Sequence, residues 1–446
     1  MKKIYSNYLS KEEIAEVLEK APFDRVALGA GARAKVKELF GEELSAQQVV
    51  ERIVGDVRRT GDQAVLRYTK AIDGADLTAE TLAVTPAEIE SALAEVNGEV
   101  LAALETAVAN VKRFHTEQLP KSWLTEREHG AILGQKCTPL DRVGIYVPGG
   151  TAAYPSSVIM NAVPAAVAGV QEIVMVVPPD RQGRVNPSVL AAAKLAGVTR
   201  IFKVGGAQAV AALAFGTATI PKVDKITGPG NIFVTLAKKA VYGHADIDML
   251  AGPSEILIVA DSTADPRCVA ADMLSQAEHD VLASSILITD SPELAGKVAK
   301  EVETQLAALQ RKDIAAQAIE DNGLIIITKD IFEAVELANL SAPEHLELLT
   351  AEPFKLLPYV RHAGAVFMGP YSPEPLGDYL AGPNHVLPTG GTARFYSVLN
   401  VETFMKKTSI IAYTRDALSA VSSQIIRLAE AEGLDAHANA VRIRGN

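Results

Sequence analysis

Hydrophobic positions repeat with helical spacing through the N-terminal part of the chain. One such run is Val49, Val50, Ile53, Val54 and Val57. Its spacing of three and four residues predicts an amphipathic helix. Ser45 and Gln48 form a capping box ahead of it. The pairs Ser10 with Glu13 and Thr85 with Glu88 predict two more helix starts, and a long helix is expected over about 99–117. No catalytic group of side chains appears here, so this part is expected to serve packing and subunit contact.

From Val143 onward, short apolar runs alternate with helical patterns. Predicted strands cover 143–147, 172–177, 200–204 and 225–226, and predicted helices cover 156–168, 188–196, 207–215 and 232–241. A second series begins at Glu255, with strands at 256–260, 285–289 and 324–328 and further segments at 343–347 and 365–368. Strands that alternate with helices predict right-handed crossovers and parallel sheets. The predicted fold class is α/β, with two doubly wound, incomplete Rossmann-like parallel-sheet domains plus small helical N- and C-terminal extensions.

This pattern divides the chain into four parts. They are an N-terminal helical arm (1–24), an α/β domain formed by 25–143 and 252–393, a nested Rossmann-like domain (144–251) and a C-terminal helical tail (394–446). The tail carries an apolar stripe of Leu418, Val421, Ile425 and Leu428. One helix is too small to hold a core of its own, so this stripe has to be covered by something else. The N-terminal helix with Ile14, Val17 and Leu18 has the same need.

Composition narrows the function classes. The chain has 446 residues, of which 48% are hydrophobic, and its formal charge is 43 − 54 = −11. Without a basic stripe, this charge argues against nucleic acid as a partner. Two cysteines allow neither a disulfide framework nor a cysteine-rich zinc site. No signal peptide follows Lys2 and Lys3, and the apolar run 158–170 is too short to span a bilayer. A cytoplasmic protein without membrane partners is expected.

Glycines cluster directly after predicted strands, at 149–150, 205–206 and 228–230. In doubly wound folds, ligands bind beyond the carboxyl ends of the strands. Backbone N–H groups and helix N-termini there favour phosphate, so a nucleotide is one interpretation. There is no Gly-x-Gly-x-x-Gly and no Walker motif, and tight turns explain the same glycines.

The side chains that can carry chemistry centre on Ser275–Asp280, which ends a predicted helix capped by Asp265. Gln276 and His279 are three residues apart and therefore share a helix face. An imidazole nitrogen and an amide oxygen are plausible ligands for a divalent transition metal. A solvated helix face explains the pair equally well. The other candidates are Glu344, His345, Asp378, His385, Glu432 and His437. Spacing alone does not bring Gln276 and His437 together.

Several longer motifs are more specific than any single pair. They are 144–150 (Gly-Ile-Tyr-Val-Pro-Gly-Gly), 204–209 (Val-Gly-Gly-Ala-Gln-Ala), 228–231 (Gly-Pro-Gly-Asn), 251–255 (Ala-Gly-Pro-Ser-Glu), 275–280 (Ser-Gln-Ala-Glu-His-Asp), 342–346 (Ala-Pro-Glu-His-Leu) and 382–388 (Gly-Pro-Asn-His-Val-Leu-Pro). With these motifs the chain resembles the histidinol dehydrogenase family over nearly its whole length.

The resemblance implies an oxidoreductase of histidine biosynthesis. The reaction would convert L-histidinol, two NAD and water into L-histidine and two NADH, by way of the aldehyde. It implies Glu344 and His345 as the acid/base pair and one zinc ion bound by Gln276, His279, Asp378 and His437. Implied substrate contacts are Ser254, Gln276, His279, His345, Asp378, His385, Glu432 and His437, and the implied NAD contacts are Tyr146, Gln208 and Asn231. It also implies a homodimer in which the tail completes the partner's site.

The chemistry of these residue types agrees with that reaction. An alcohol gives up hydride as its hydroxyl proton leaves, so a base such as His345 is needed. Glu344 can take a proton from the water that adds to the aldehyde. Neighbouring residues of a regular strand point to opposite faces, so both serve one site only if the chain bends, and Pro343 makes a bend plausible.

The same residues are also compatible with other functions. A zinc hydrolase would use Glu344 on a metal-activated water, and a related alcohol dehydrogenase would oxidise another alcohol on the same scaffold. A binding protein with two α/β lobes would need neither Glu344 nor His345. Cys137 could form a thiohemiacetal with an aldehyde.

Overall fold

The computed structural model describes residues 1–20, 28–149 and 153–445. Its strands are β1 (Lys2–Tyr5), β2 (Trp123–Glu126), β3 (Ile132–Pro139), β4 (Arg142–Tyr146), β5 (Glu172–Val177), β6 (Arg200–Lys203), β7 (Lys225–Thr227), β8 (Asp246–Ile247), β9 (Glu255–Ala260), β10 (Ser284–Thr289), β11 (Gly323–Ile327), β12 (His345–Leu349), β13 (Ala365–Met368) and β14 (Met405–Ala412).

The helices lie between and around these strands. They are α1 (Lys11–Leu18), α2 (Ala30–Phe40), α3 (Ala46–Thr60), α4 (Asp62–Asp73), α5 (Pro86–Glu95), α6 (Gly98–Thr116), α7 (Pro155–Ala168), α8 (Pro187–Ala196), α9 (Gly206–Phe215), α10 (Ile232–Val241), α11 (Pro266–Ala277), α12 (Pro292–Leu306), α13 (Lys312–Asn322), α14 (Ile331–Ser341), α15 (Pro353–Leu356), α16 (Glu374–Tyr379), α17 (Arg415–Ala431) and α18 (Asp435–Arg442). The three predicted capping boxes at Ser10, Ser45 and Thr85 are all present and confirmed.

Two parallel sheets organise the molecule and confirm the predicted fold class. Sheet A has six strands in the order β1-β11-β10-β9-β12-β13. Sheet B has five strands in the order β6-β5-β4-β7-β8. In sheet B the strand order reverses between β4 and β7, which is where doubly wound sheets bind their ligands. The inner strands of both sheets, such as β5 and β9, are nearly continuous apolar runs because helices cover both faces.

A third, antiparallel sheet was not predicted. Sheet C has the order β14-β3-β2, so its longest pairing joins segments about 270 residues apart in sequence, from Met405 with Pro139 to Ala412 with Ile132. Strand β1, which pairs in parallel with β11 at the edge of sheet A, was also missed. Short strands with mixed polarity give little periodic signal, and their pairing depends on distant parts of the chain.

The helices of the first part of the chain pack on sheet B. Residues of α3 and α4 share one core with α9, α10 and one face of sheet B, while α5 and α6 share the other core with α7 and α8. The predicted boundaries grouped 25–143 with the unit of sheet A. Helices α3–α6 instead belong by packing to the unit of sheet B, because their apolar stripes cover its two faces.

The N-terminal arm is covered by its own chain. Ile14 and Leu18 of α1 are 2% and 3% exposed and join a core with α14 and sheet A. The cover that this helix was expected to need comes from α14 and sheet A of the same chain. Residues 21–24 of the predicted arm lie outside the described ranges.

The C-terminal tail is covered less well. Helix α17 packs against α18 and the turn at 128–130, and Leu428 remains 66% exposed. None of the helices in the described ranges combines the length and the apolar composition needed to cross a membrane.

Candidate active site

A cleft of about 560 Å³ lies where the two parallel sheets meet. Sheet B contributes the carboxyl ends of its strands, through Tyr146 and the turn 228–231. Sheet A contributes the amino ends of its strands, through Ser254 before β9 and His345 at the start of β12. The cleft therefore combines the carboxyl edge of one sheet with the amino edge of the other.

Most of the predicted site residues line this cleft. They are Tyr146, Asn231, Ser254, Gln276, His279, Glu344, His345, Asp378 and His385. They come from segments more than 230 residues apart. The two strand edges that face each other bring them together.

Glu344 and His345 both line the cleft because the regular strand begins only at His345. Before it, Ala342 has a φ of +48°, a left-handed conformation that ends α14 and turns the chain. Such a φ is uncommon for a residue other than glycine, asparagine or aspartate. Glu344 therefore precedes the alternation of the strand, so both side chains reach one site.

The backbone of Glu255 holds both of these side chains. Its N–H group donates to Oε2 of Glu344 at 2.9 Å, and its carbonyl oxygen lies 2.9 Å from Nδ1 of His345. A carbonyl accepts only, so Nδ1 of His345 carries the proton and Nε2 presents a lone pair. Among the described residues, Nε2 has no hydrogen-bond partner. One strand residue thus fixes the carboxylate position and the imidazole tautomer.

Burial shifts the pKa values of Glu344 and His345 in opposite directions. It lowers the pKa of His345 to about 4, so this imidazole is neutral at pH 7. It raises the pKa of Glu344 well above its ordinary value, and the neighbouring carboxylates of Glu255, Asp378 and Glu374 add to that rise. A carboxylate with a raised pKa is a stronger base than one in water. Burial therefore favours the uncharged form of both groups, and the ionised form of Glu344 is the stronger base of the two.

Three of the predicted metal ligands lie on one side of the cleft. Gln276, near the end of α11, is 1% exposed, and its Oε1 has no partner in the described part of the chain. His279 lies beyond the helix, which ends at Ala277, and its N–H donates to the carbonyl of Gln276 at 3.2 Å. Asp378 of α16 lies 3.6 Å from Nδ1 of His385 (Oδ1 to Nδ1). The burial of Asp378 opposes ionisation, but hydrogen bonding to His385 and the charge of that ring lower the pKa of this carboxyl.

Glu374 was not predicted. It is 2% exposed, lines the cleft and places Oε1 at 3.8 Å from Nε2 of His345. Burial raises the pKa of Glu374 to about 8, and Asp378 reinforces the rise. Ligand atoms of His345, Glu374 and Asp378 lie within 4.8 Å of one another, so this group overlaps the predicted metal set only at Asp378. The sequence signal that could have identified Glu374 is its position four residues before Asp378, on the same helix face.

Behind Glu374 lies a second pair of buried carboxyl groups, Asp272 and Glu347. Glu347 accepts the N–H of Glu374 at 3.0 Å, and its side chain is in hydrogen-bond contact with Asp272. Burial raises the pKa of Asp272 to about 6 and that of Glu347 well above its ordinary value. Two carboxyl groups in contact share one proton at neutral pH.

We expect Asp272→Asn to reduce the loss of stability that accompanies a rise in pH from 3.8 to about 6. The folded pKa of Asp272 is raised above its unfolded value of 3.8, so its contribution is fully present below that value and is lost as pH rises through about 6. A shift of this size corresponds to on the order of 3 kcal/mol. Urea unfolding of wild type and variant at about pH 4 and about pH 7 measures the change in the free energy of unfolding across this range. An equal fall in the free energy of unfolding for both proteins would contradict the shared proton.

The residues expected to bind a nucleotide lie at the carboxyl edge of sheet B. The hydroxyl of Tyr146 accepts the N–H of Gly206, the first residue of α9, at 3.0 Å. Gln208 of the same helix is fully buried, and neither of its amide atoms has a partner among the described residues. Oδ1 of Asn231 caps α10 by accepting the N–H groups of Phe233 and Val234, which leaves its Nδ2 to donate. Gln208 does not line the cleft itself, and Gly150 of the glycine motif lies outside the described residues.

Two further predicted residues, besides Gln208, are absent from the cleft of their own chain. Glu432 follows α17 and His437 belongs to α18, and both are exposed on the tail. Cys137 lies in sheet C, with its thiol 3.8 Å from the carbonyl of Lys121, and does not line the cleft either. The thiohemiacetal alternative is therefore not supported by the fold.

Comparisons with known proteins identify relatives over nearly the full length. A sequence model of the family described as histidinol dehydrogenase matches residues 39–445. A histidinol dehydrogenase of Clostridium acetobutylicum is 51% identical over 434 residues, which is 97% of this chain and 99% of the relative. Another from Heliobacterium mobile is 58% identical over 408 residues, with 92% and 95% covered.

A solved structure agrees with these relatives. The crystal structure of histidinol dehydrogenase from Elizabethkingia anophelis superposes with a TM-score of 0.91 at 37% identity, covering 100% of this chain and 98% of that one. The resemblance inferred from the motifs and the predicted enzyme class, an NAD-dependent oxidoreductase, are thereby confirmed. This chain belongs to the histidinol dehydrogenase family.

Proposed function

We propose that this protein oxidises L-histidinol through the aldehyde to L-histidine, with two NAD per substrate and a zinc ion in each site. The observation that carries the proposal is the pair Glu344 and His345, both held by the backbone of Glu255 in a cleft that also contains Gln276, His279 and Asp378. A second candidate, a zinc hydrolase, would leave the glycine-rich carboxyl edge of sheet B without a role.

The donor set fits zinc. Oε1 of Gln276 is buried and unpartnered within the described ranges, which costs free energy unless something binds it. Gln276, His279 and Asp378 offer oxygen and nitrogen donors suited to this metal. With His437 from the tail they would hold it. When bound, zinc would orient the nitrogens of the substrate and NAD would accept hydride.

His345 would act in the first oxidation. Its Nδ1–H is fixed by the carbonyl of Glu255, so Nε2 keeps a lone pair that would take the hydroxyl proton. Because the ring is neutral at pH 7, this base is available without prior deprotonation. Fixing the tautomer removes a reorganisation step, in the way that a buried acceptor orients the histidine of a catalytic triad.

Glu344 would act in the second oxidation, which needs water to add to the aldehyde. Within the described residues, the hydrogen bond to its carboxylate runs from the N–H of Glu255 to Oε2 at 2.9 Å. The other oxygen can receive a proton from that water. The raised pKa of Glu344 increases the driving force for this transfer. One backbone residue thus prepares a base for each half-reaction.

The substrate site would be completed by a second copy of the chain. Glu432 and His437 lie outside the cleft of their own chain, and Leu428 beside them is exposed. Sheet C, on which the tail begins, exposes Trp123, Leu124 and Ile411 at 51%, 63% and 74%. Exposed apolar patches of this kind mark interaction surfaces. We infer a homodimer in which each tail supplies Glu432 and His437 to the partner's cleft.

The absorbance of NADH tests the proposed function. Purified protein with L-histidinol and NAD is expected to form NADH, whereas a zinc hydrolase or a binding protein would form none. Omitting histidinol, or replacing it with ethanol, gives the control for other alcohols. Absence of NADH formation with zinc-loaded protein would refute the proposal.

Metal removal is expected to abolish turnover. We predict one zinc per chain by elemental analysis, loss of activity after chelation and recovery when zinc is restored. Gln276→Leu keeps a buried side chain of similar size but removes the oxygen donor, so it is expected to lower the zinc content. Asn339→Leu, at another buried amide that does not line the cleft, serves as the control for zinc content. Metal-free protein that turns over at the normal rate would exclude this role.

A further inference from the structure

A buried ion pair lies beneath the cleft, between Lys238 of α10 and Asp248 after β8. Their side chains are 4% and 1% exposed, and Nζ of Lys238 contacts Oδ1 of Asp248. Both residues line the cleft, yet neither is among the expected cofactor, substrate or metal contacts. Buried ion pairs contribute little net stability compared with apolar residues of similar volume. Their presence at this position therefore calls for another explanation.

The pair holds both polar backbone groups of a single residue, Gly228. Oδ2 of Asp248 accepts the N–H of Gly228 at 2.7 Å, and Nζ of Lys238 donates to its carbonyl oxygen at 3.0 Å. Oδ1 of Asp248 also accepts the N–H of Met249 at 2.6 Å. Among the described residues, the hydrogen bonds of the pair are thus directed at the turn and at the segment that follows β8.

The geometry of Gly228 shows why this turn needs to be held. Its φ is +119°, and a Cβ atom there would lie 2.1 Å from the carbonyl oxygen of Tyr146. The turn therefore packs directly on the end of β4, at the point where the strand order of sheet B reverses. Three residues later, Asn231 starts α10 and faces the cleft. A small shift of Gly228 would move the position of Asn231.

The pair also connects the two sides of the cleft. Lys238 is on the helix that follows the turn, and Asp248 is on the segment that leads to Ser254. The hydroxyl of Thr235 donates to the carbonyl of Ala251 at 3.1 Å and reinforces this connection. The nucleotide side and the substrate side of the cleft are therefore joined through the buried Lys238–Asp248 pair and the hydrogen bond of Thr235.

We propose that Lys238 and Asp248 are positioning residues, which hold the turn 228–231 in the shape needed to bind the dinucleotide. This inference rests on the proposed NAD-dependent function. It assigns the pair a role in binding the cofactor rather than in the chemical step. Its loss is expected to raise the KM for NAD more than it lowers kcat.

The test is the double variant Lys238→Met/Asp248→Leu, which replaces the pair with apolar side chains of similar size. We expect a folded protein with a lower melting temperature, because Gly228 and Met249 lose their hydrogen-bond partners, a KM for NAD at least tenfold higher, and a kcat within threefold. The matched control is Lys225→Met/Asp246→Leu, a Lys–Asp pair at 2.8 Å on β7 and β8 that does not line the cleft. The control is expected to leave the KM for NAD within twofold.

Asp248→Asn provides a second variant in case the double variant does not fold. It keeps an acceptor for Gly228 but removes the charge, and we expect at least a threefold rise in the KM for NAD. A folded pair variant with an unchanged KM, or a control that raises the KM equally, would overturn the inference. If wild type forms no NADH, the proposed function fails; if wild type is active and the pair variants match it, only this inference fails.

Discussion

Replacing Glu344 with Gln is expected to stop the reaction after the first NADH. Gln keeps a side-chain oxygen that can accept the N–H of Glu255, so the local geometry is retained. It cannot take a proton from the water that adds to the aldehyde. Loss of a positioned base costs roughly 10²- to 10⁴-fold in rate. Single-turnover absorbance would then show one equivalent of NADH for the variant and near two for wild type.

His345→Asn is expected to impair both oxidations, because the alcohol step loses the base that Nε2 provides. Glu352→Gln, at an exposed carboxylate in the loop after β12, serves as the control and is expected to retain both steps. Two equivalents of NADH at the wild-type rate from Glu344→Gln would remove that residue from the mechanism. An unimpaired first step in His345→Asn would likewise remove His345 as its base.

Mixing two inactive chains is expected to restore activity. In a hybrid of His437→Ala with His345→Ala, one site receives both defects and the other receives neither, if the tail crosses to the partner. With random exchange of equal amounts, about half of the dimers are hybrids with one intact site each, which gives roughly a quarter of wild-type activity. Activity measured before and after subunit exchange tests this.

A second mixture provides the control. His345→Ala and Glu344→Gln both alter the body of the subunit, so every site in their hybrid carries one defect and histidine formation is expected to stay absent. If exchange of His437→Ala with His345→Ala is confirmed by mass spectrometry but no activity returns, His437 acts within its own chain. The shared-site arrangement would then be wrong.

The sequence allowed the two parallel sheets to be predicted because their strands are buried on both faces. Continuous apolar runs such as Ile256–Ala260, separated by capped helices, carry a strong local signal. Sheet C could not be predicted in the same way. Its strands β3 and β14 are partly exposed, of mixed polarity and far apart in sequence, so their pairing is determined by tertiary contacts.

The site was predictable in its residue types but not in its arrangement. Glu344 and His345 were identified through the family motif, and Pro343 indicated the bend. The structural cause is the left-handed Ala342 together with a strand that starts at His345, and neither has a sequence signal. Glu255 holds Glu344 and His345 through its backbone N–H and carbonyl groups, and side-chain patterns do not reveal such contacts. Glu374 becomes recognisable only when α16 is placed against His345.

The stoichiometry of NADH formation tests the proposed function most directly. With histidinol limiting and NAD in excess, zinc-loaded wild type is expected to form two NADH for each histidinol consumed and to yield histidine. One NADH with accumulated aldehyde, or consumption of histidinol without NADH, would contradict the account of two bases prepared by one backbone residue.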